Sequence, residues 1–220
     1  MLEMKEALPE RVARLIADSG LSWSDARRKL LEEDRYLRPS DLPDDKAIEH
    51  ALREHYAIFK PEEHAECLYR LRRCALWWME ELSEYRPRLI RGVLNGCADR
   101  YSHIYLEITA EDAKEIEIRL LDMGADIEVL ETSPASRRDP IEEILIWDDE
   151  ENPEDPQGVV LRIYETTPAK KKSKTEKDAY QCDIEAQTSA DIDDLKQLLR
   201  SHYGKEEEDF PDSGMTSCRF

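Results

Sequence analysis

Arg88-Leu89-Ile90-Arg91-Gly92-Val93-Leu94, then Asn95-Gly96-Cys97-Ala98-Asp99-Arg100-Tyr101, then Ser102-His103-Ile104-Tyr105-Leu106-Glu107-Ile108 is the stretch whose reading decides the fold. The first piece reads as a strand. The second reads as a turn built around Gly96. The third alternates strictly, with Ile104, Leu106 and Ile108 on one face and His103, Tyr105 and Glu107 on the other. That period of two is the mark of a strand with one buried face. Two short strands joined by a glycine turn need partners to bury that face.

The partners are expected on both sides. Upstream, Pro61 suits the first turn of a long helix whose stripe runs Leu68, Leu71, Ala75, Met79 and Leu82, widened by Trp77 and Trp78. Pro87 disfavours helix at Arg86, so the helix is expected to end near Tyr85. Downstream, Thr109 with Asp112 reads as a capping box. The helix after it carries Ala113, Ile116, Leu120 and Met123, and Gly124 suits its C′ position. Short strands are expected around Ile127 and Val129, over Ile141–Trp147, and over Gly158–Glu165. A last strand is expected over Asp178–Ala186, and a last helix, capped by Thr188, carries Ile192, Leu195, Leu198 and Leu199.

Before Pro61 the chain reads as short helices. Leu8, Val12, Leu15 and Ile16 form one stripe, and Ser22 with Asp25 opens a second helix. Asp44-Asp45 opens a third, which carries Ile48, Leu52 and Phe59. The fold class is therefore α+β, a mixed sheet packed by helices with a helical N-terminal region. Residues 1–60 form that region and residues 61–203 the α+β domain, with a loop or linker near 166–177. Residues 204–220 read as an acidic disordered tail.

The chain has 220 residues, 38% of them charged, and a net charge of −19. Such a surface repels phosphate backbones, so nucleic acid is an unlikely partner, and it disfavours anionic membrane surfaces. No apolar run approaches the roughly 20 residues that span a bilayer. Met1–Glu6 has no signal-peptide pattern, and five widely spaced cysteines suit a reducing compartment, so a cytoplasmic location is expected.

Several clusters have two readings. Trp77-Trp78 reads as core within its helical stripe; the alternative is a stacking platform for a base. His64, Cys67 and Cys74 read as groove or core residues rather than as a zinc set, which needs four converging ligands. Asp148–Asp155 is acidic but lacks the alternation and the central glycine of an EF-hand loop. Arg72, Arg73, Arg86, Arg88 and Arg91 concentrate positive charge in an acidic protein. They either pair with Glu80, Glu81 and Glu84 or bind a phosphate or an acidic partner. There is no Gly-x-x-x-x-Gly-Lys and no Gly-x-Ser-x-Gly.

The order helix, strand, glycine turn, alternating strand, helix resembles the core of the polymerase-β-like nucleotidyltransferases. It is similar to a group of uncharacterised bacterial nucleotidyltransferase-like proteins over Pro61 to about Glu165. Gly92, Gly96 and Ser102 match the family's glycines and serine, and Ile104 and Leu106 match its apolar strand positions. The family holds two magnesium ions on carboxylates at i and i+2 of the second strand. Those positions here are His103 and Tyr105; Glu107 is the one acid on that face. Gly92 is followed by Val93 where the family has a small residue. A third family carboxylate comes from a later strand, and Glu165 is the nearest match.

The resemblance thus implies a catalytically degenerate nucleotidyltransferase-like protein, binding a nucleotide or a protein partner, with no cofactor. Its vestigial site would comprise Gly92, Gly96, Ser102, His103, Tyr105 and Glu107. Two other readings stand beside it. One is an active enzyme using magnesium on displaced carboxylates Glu107 and Glu165. The other is a pure protein-interaction module.

Overall fold

A computed structural model describes residues 8–132, 136, 139–148, 156–165 and 187–203. Among them are seven α-helices and one six-stranded mixed sheet, an α+β fold with a helical N-terminal region. The described chain divides into two compact units, one within Met1–Leu68 plus Asp99–Tyr101, the other within Tyr69–Ala98 plus Ser102–Phe220. No helix among the described residues is long and apolar enough to cross a membrane.

The first unit is helical. α1 (Leu8–Ser19) buries Leu8, Val12, Ala13 and Ile16. α2 (Trp23–Glu33) starts where the Ser22 hydroxyl accepts from the Asp25 N–H at 3.1 Å, and it buries Ala26 and Leu30. A 3-10 turn at Pro39–Asp41 leads to α3 (Asp45–Phe59), whose N-cap Asp44 accepts from the Ala47 N–H at 2.8 Å. α3 buries Ile48, Ala51, Leu52 and Tyr56. Phe59 departs from the expected stripe: it is 68% exposed and lies against the His55 ring. The helix's apolar face is completed by Tyr56, four residues after Leu52, and Phe59 rotates past it.

α4 (Pro61–Glu81) runs from the first unit into the second. The α-helix stops at Glu81, and a 3-10 turn at Ser83–Tyr85 carries the chain to Pro87. Leu71, Arg72, Ala75, Trp78, Met79 and Leu82 are buried.

The sheet follows. β1 (Arg88–Ile90) pairs antiparallel with β2 (Ile104–Ala110), and β2 runs parallel to β5 (Gln157–Glu165). β3 (Asp126–Leu130) and β4 (Glu142–Asp148) extend one side and β6 (Ser189–Ala190) the other, giving the order β3-β4-β5-β2-β1-β6. The register assigns every side chain to a face. Leu89, Ile104, Leu106, Ile108, Ile144, Ile146, Val159, Leu161, Ile163 and Ala190 share one face, and each is at most 1% exposed. Each valine, leucine and isoleucine among them contributes about 1.5–3 kcal/mol of burial against the entropy of ordering it. The opposite face interleaves buried Ile90, Leu145 and Val160 with half-exposed Tyr105, Glu107, Trp147, Arg162 and Tyr164.

Three local expectations are corrected. The strand expected over Arg88–Leu94 is only three residues long, because Arg91 takes φ 64°, ψ −149° and breaks the ladder. Gly92–Asn95 is instead a single helical turn, α5, closed by Gly96 at φ 80°. α6 (Ala113–Asp122) is capped by Asp112, which accepts from the Lys114 N–H at 3.0 Å; Thr109 remains in β2. α7 (Ile192–Tyr203) is opened by a reciprocal pair: the Asp191 carboxylate accepts from the Asp194 N–H at 2.9 Å, and Asp194 accepts from the Asp191 N–H at 3.3 Å. Aspartate accepts more strongly at a helix start than the Thr188 hydroxyl expected there. The strand expected at residues 178–186, the linker near 166–177 and the tail 204–220 lie outside the described residues.

Candidate functional site

Across the less buried face, the register sets Glu143, Arg162, Glu107 and Arg88 side by side on β4, β5, β2 and β1. Charges of alternating sign on directly opposed strands attract one another. The Arg162 Nε donates to Glu143 Oε1 at 2.8 Å, and the Tyr164 hydroxyl donates to Glu107 Oε1 at 3.3 Å. Burial pulls the Arg162 guanidinium down, but the Glu143 hydrogen bond and the neighbouring acidic groups outweigh it and the net shift is upward. Burial, then the Glu107 charge, pushes the Tyr164 hydroxyl up, so it stays protonated and donates.

A cleft of about 300 Å³ opens at this row, lined by Arg86, Arg88, Glu107, Ile108, Thr109 and Tyr164. Arg88 is fixed there: its Nε donates to Ser189 Oγ at 2.8 Å and its Nη2 to the Ser189 carbonyl at 3.1 Å. The Thr109 hydroxyl donates to the Tyr85 carbonyl at 3.4 Å. Arg86 adopts the left-handed conformation, φ 52°, ψ 57°, just before β1. Just after β1, Arg91 sets its guanidinium 4.2 Å from the centre of the Tyr105 ring. Arg86 and Arg91 are the two non-glycine residues with positive φ among those described.

The glycine turn is built from the helix beneath it. Gly92 accepts from the N–H groups of Cys97 and Ala98 at 2.9 and 3.1 Å. Four residues of helix cannot satisfy their own last carbonyls. Arg72 does so, donating from Nε to the Val93 carbonyl at 3.0 Å and from Nη2 to the Leu94 carbonyl at 3.2 Å. It is therefore a structural clamp. Glu80 takes Lys196 at 2.7 Å, and the Arg73 guanidinium lies 5.7 Å from the centre of the Tyr69 ring.

His103 and Tyr105, the positions matched to metal carboxylates, are engaged with neighbours. The His103 ring meets Trp147 edge-on at 5.7 Å and lies so close to Gly158 that a Cβ there would stand 2.2 Å from its Nδ1. Burial lowers its pKa, favouring the neutral ring. Tyr105 lies under Arg91. Ser102 contributes its carbonyl to the Gln157 side chain at 2.8 Å. Glu165 pairs with Ala110, one step out of phase with Glu107, so the two carboxylates lie on opposite faces of the sheet. The pairing of Glu107 with Glu165 on one magnesium ion is thus corrected: strand alternation separates them.

Gly158→Ala is expected to cost about 1–3 kcal/mol by overpacking against His103. In a His103→Ala background the same change is expected to cost at least about 1 kcal/mol less, measured by urea denaturation in a double-mutant cycle. Additive effects would show that the close approach is not what requires glycine.

Elsewhere, Trp78 is core at 1% exposure and donates its indole N–H to Asp148 Oδ2 at 3.0 Å. Trp77 is half-buried, edge-on to Trp78. The Cys74 thiol donates to the same Asp148 oxygen at 3.5 Å, and Cys67 is buried. No cluster of three or more metal-ligating side chains occurs among the described residues. Thr109, Arg162 and Tyr164 were not legible as site residues in the sequence. Their signal was alternation within β2 and β5, which becomes a shared face only once the parallel register is known.

Comparison of the chain with known protein families, curated proteins and solved structures found no match in any of the three.

Proposed function

We propose that the protein is a nucleotide-binding module of nucleotidyltransferase-like design whose catalytic metal positions have been replaced. The observation that carries the reading is the arginine-lined cleft on the strand that holds those positions. Arg86 and Arg88 line it against one carboxylate, Glu107, with Arg91 over Tyr105 and the Arg162–Glu143 pair on the same sheet face, in a chain whose net charge is −19. A local excess of guanidinium in an acidic protein draws anionic ligands to that one place. Guanidinium also matches phosphate oxygens with parallel donors. Glu107 and Tyr164 add an acceptor and a hydroxyl suited to the diol of a ribose. The cleft volume lies at the lower end of the range for small-molecule sites.

Two-metal phosphoryl transfer needs paired carboxylates facing one point. On that side β2 offers Tyr105 and a single Glu107, and the residue just before it is His103, which supports binding rather than chemistry. The test is a thermal-shift panel of nucleoside triphosphates and diphosphates, with and without Mg²⁺. A ligand at about a hundred times its Kd stabilises by about 2.7 kcal/mol, a rise in Tm of roughly 5–10 °C for a chain of this length. A rise with at least one nucleotide supports the reading. No rise with any of them overturns it in favour of a protein-interaction module. Incorporation of labelled nucleotide, lost in Glu107→Gln, overturns it in favour of an enzyme.

A further inference from the structure

Three arginines come from one six-residue segment, Arg86 to Arg91, and all three serve the same face of the sheet. Arg86 and Arg88 line the cleft beside Glu107. Arg91 lies over Tyr105, one position along β2 on the same face. Two of the three hold backbone conformations that side chains avoid, and these are the two positive-φ non-glycine residues among those described. Arg91, at φ 64° and ψ −149°, stands in a region that is nearly exclusive to glycine. Glycine occupies the next position, so the chain had a residue suited to that conformation within one step. Strain of this kind persists where the side chain it delivers has a use. The backbones of both serve the turns on either side of β1, Arg86 donating its N–H to the Ser83 carbonyl and Arg91 offering its carbonyl to the Leu94 and Asn95 N–H groups, while both side chains are exposed.

We propose that these arginines form a metal-independent clamp for a polyphosphate group, with Arg86 and Arg88 taking one phosphate in the cleft and Arg91 taking the next. The inference rests on the nucleotide-binding reading and adds to it the group recognised and the absence of a metal requirement. Magnesium bound with phosphates usually rests on one or two protein carboxylates, and Glu107, the carboxylate at the cleft, is opposed in the strand register by Arg88 and Arg162. The cationic partners of the phosphates are therefore guanidinium groups of the protein. Two phosphates suit the site better than one, since the guanidinium groups are spread along β1 from two residues before it, Arg86, to the residue after it, Arg91.

The experiment is isothermal titration of the full chain with inorganic pyrophosphate, orthophosphate and ADP, in EDTA and in Mg²⁺, with denaturation midpoints for each variant. Pyrophosphate is expected to bind in EDTA at least tenfold more tightly than orthophosphate. Arg86→Ala and Arg88→Ala are each expected to weaken it at least tenfold. Arg88 also holds Ser189, so the exposed Arg86 is the cleaner of the two. Arg91→Gly is the distinguishing variant. It relieves the backbone, so the midpoint is expected to hold or rise while pyrophosphate affinity falls at least threefold. A lower midpoint with unchanged affinity would make Arg91 structural and overturn the clamp. ADP binding only in Mg²⁺ would overturn the clamp and leave the nucleotide reading standing. Pyrophosphate binding unaltered by all three variants would place the anion elsewhere and overturn the clamp. No binding of any of the three ligands would overturn the clamp, and the nucleotide reading falls with it if the panel of nucleoside triphosphates and diphosphates also gives no rise in Tm.

Discussion

Arg72→Ala is expected to cost about 3–5 kcal/mol, the largest loss from any single charged residue here. Its side chain is fully buried, and it holds two carbonyls of the four-residue turn α5. Hydrogen bonds from a charged donor contribute about 1.5–3 kcal/mol each, and Val93 and Leu94 are themselves buried, so water does not replace the donor. Truncation also leaves a cavity. Against these stands the relief of desolvating a guanidinium, worth several kcal/mol in the other direction. The losses win because two acceptors are orphaned by one deletion. Arg72→Met fills most of the volume and satisfies neither carbonyl, so an intermediate loss of about 2 kcal/mol is expected. Urea denaturation followed by tryptophan fluorescence checks both. A loss below about 1 kcal/mol for Arg72→Ala would show that the turn does not depend on the clamp.

Trp78→Ala is expected to cost about 3–5 kcal/mol, as the deletion of a large aromatic from a core. Trp78 is 1% exposed and joins α4 to the end of β4 through its bond to Asp148. Trp78→Phe separates the two contributions. It keeps most of the apolar contact and removes the indole donor, so about 1–2 kcal/mol is expected. Trp77 serves as the control. It is only half-buried, and Trp77→Phe is expected to cost less than Trp78→Phe in the same denaturation series. The reverse order would mean that the pair is packed the other way round, with Trp77 inward.

Much of the fold was legible because its signals are local. Asp44 and Ser22 mark helix starts through hydrogen bonds that reach three residues on, Pro61 through its fixed φ and missing N–H, and each helix begins there. The alternation of Ile104, Leu106 and Ile108 announced β2. What was not legible depends on pairing at a distance. Arg88–Leu94 has the composition of a strand, but Arg91 turns out of the ladder and Arg72, twenty residues earlier, holds the turn that follows. Glu107 and Glu165 looked like a pair of acids on neighbouring strands. Only the register, Glu107 opposite Arg162 and Glu165 opposite Ala110, reveals that they face opposite ways. The cleft was legible in part: Arg86, Arg88 and Glu107 stood out as charges, whereas Thr109 joins them because β2 runs on to Ala110 and Tyr164 through the parallel pairing of β2 with β5.

The most direct measurement is a structure of the full chain crystallised with ADP at millimolar concentration in EDTA. The expected result is phosphate density in the cleft within hydrogen-bonding distance of Arg86 and Arg88, on the Glu107 face of the sheet. Nucleotide bound elsewhere, or a cleft left without it at saturating ADP, would contradict it.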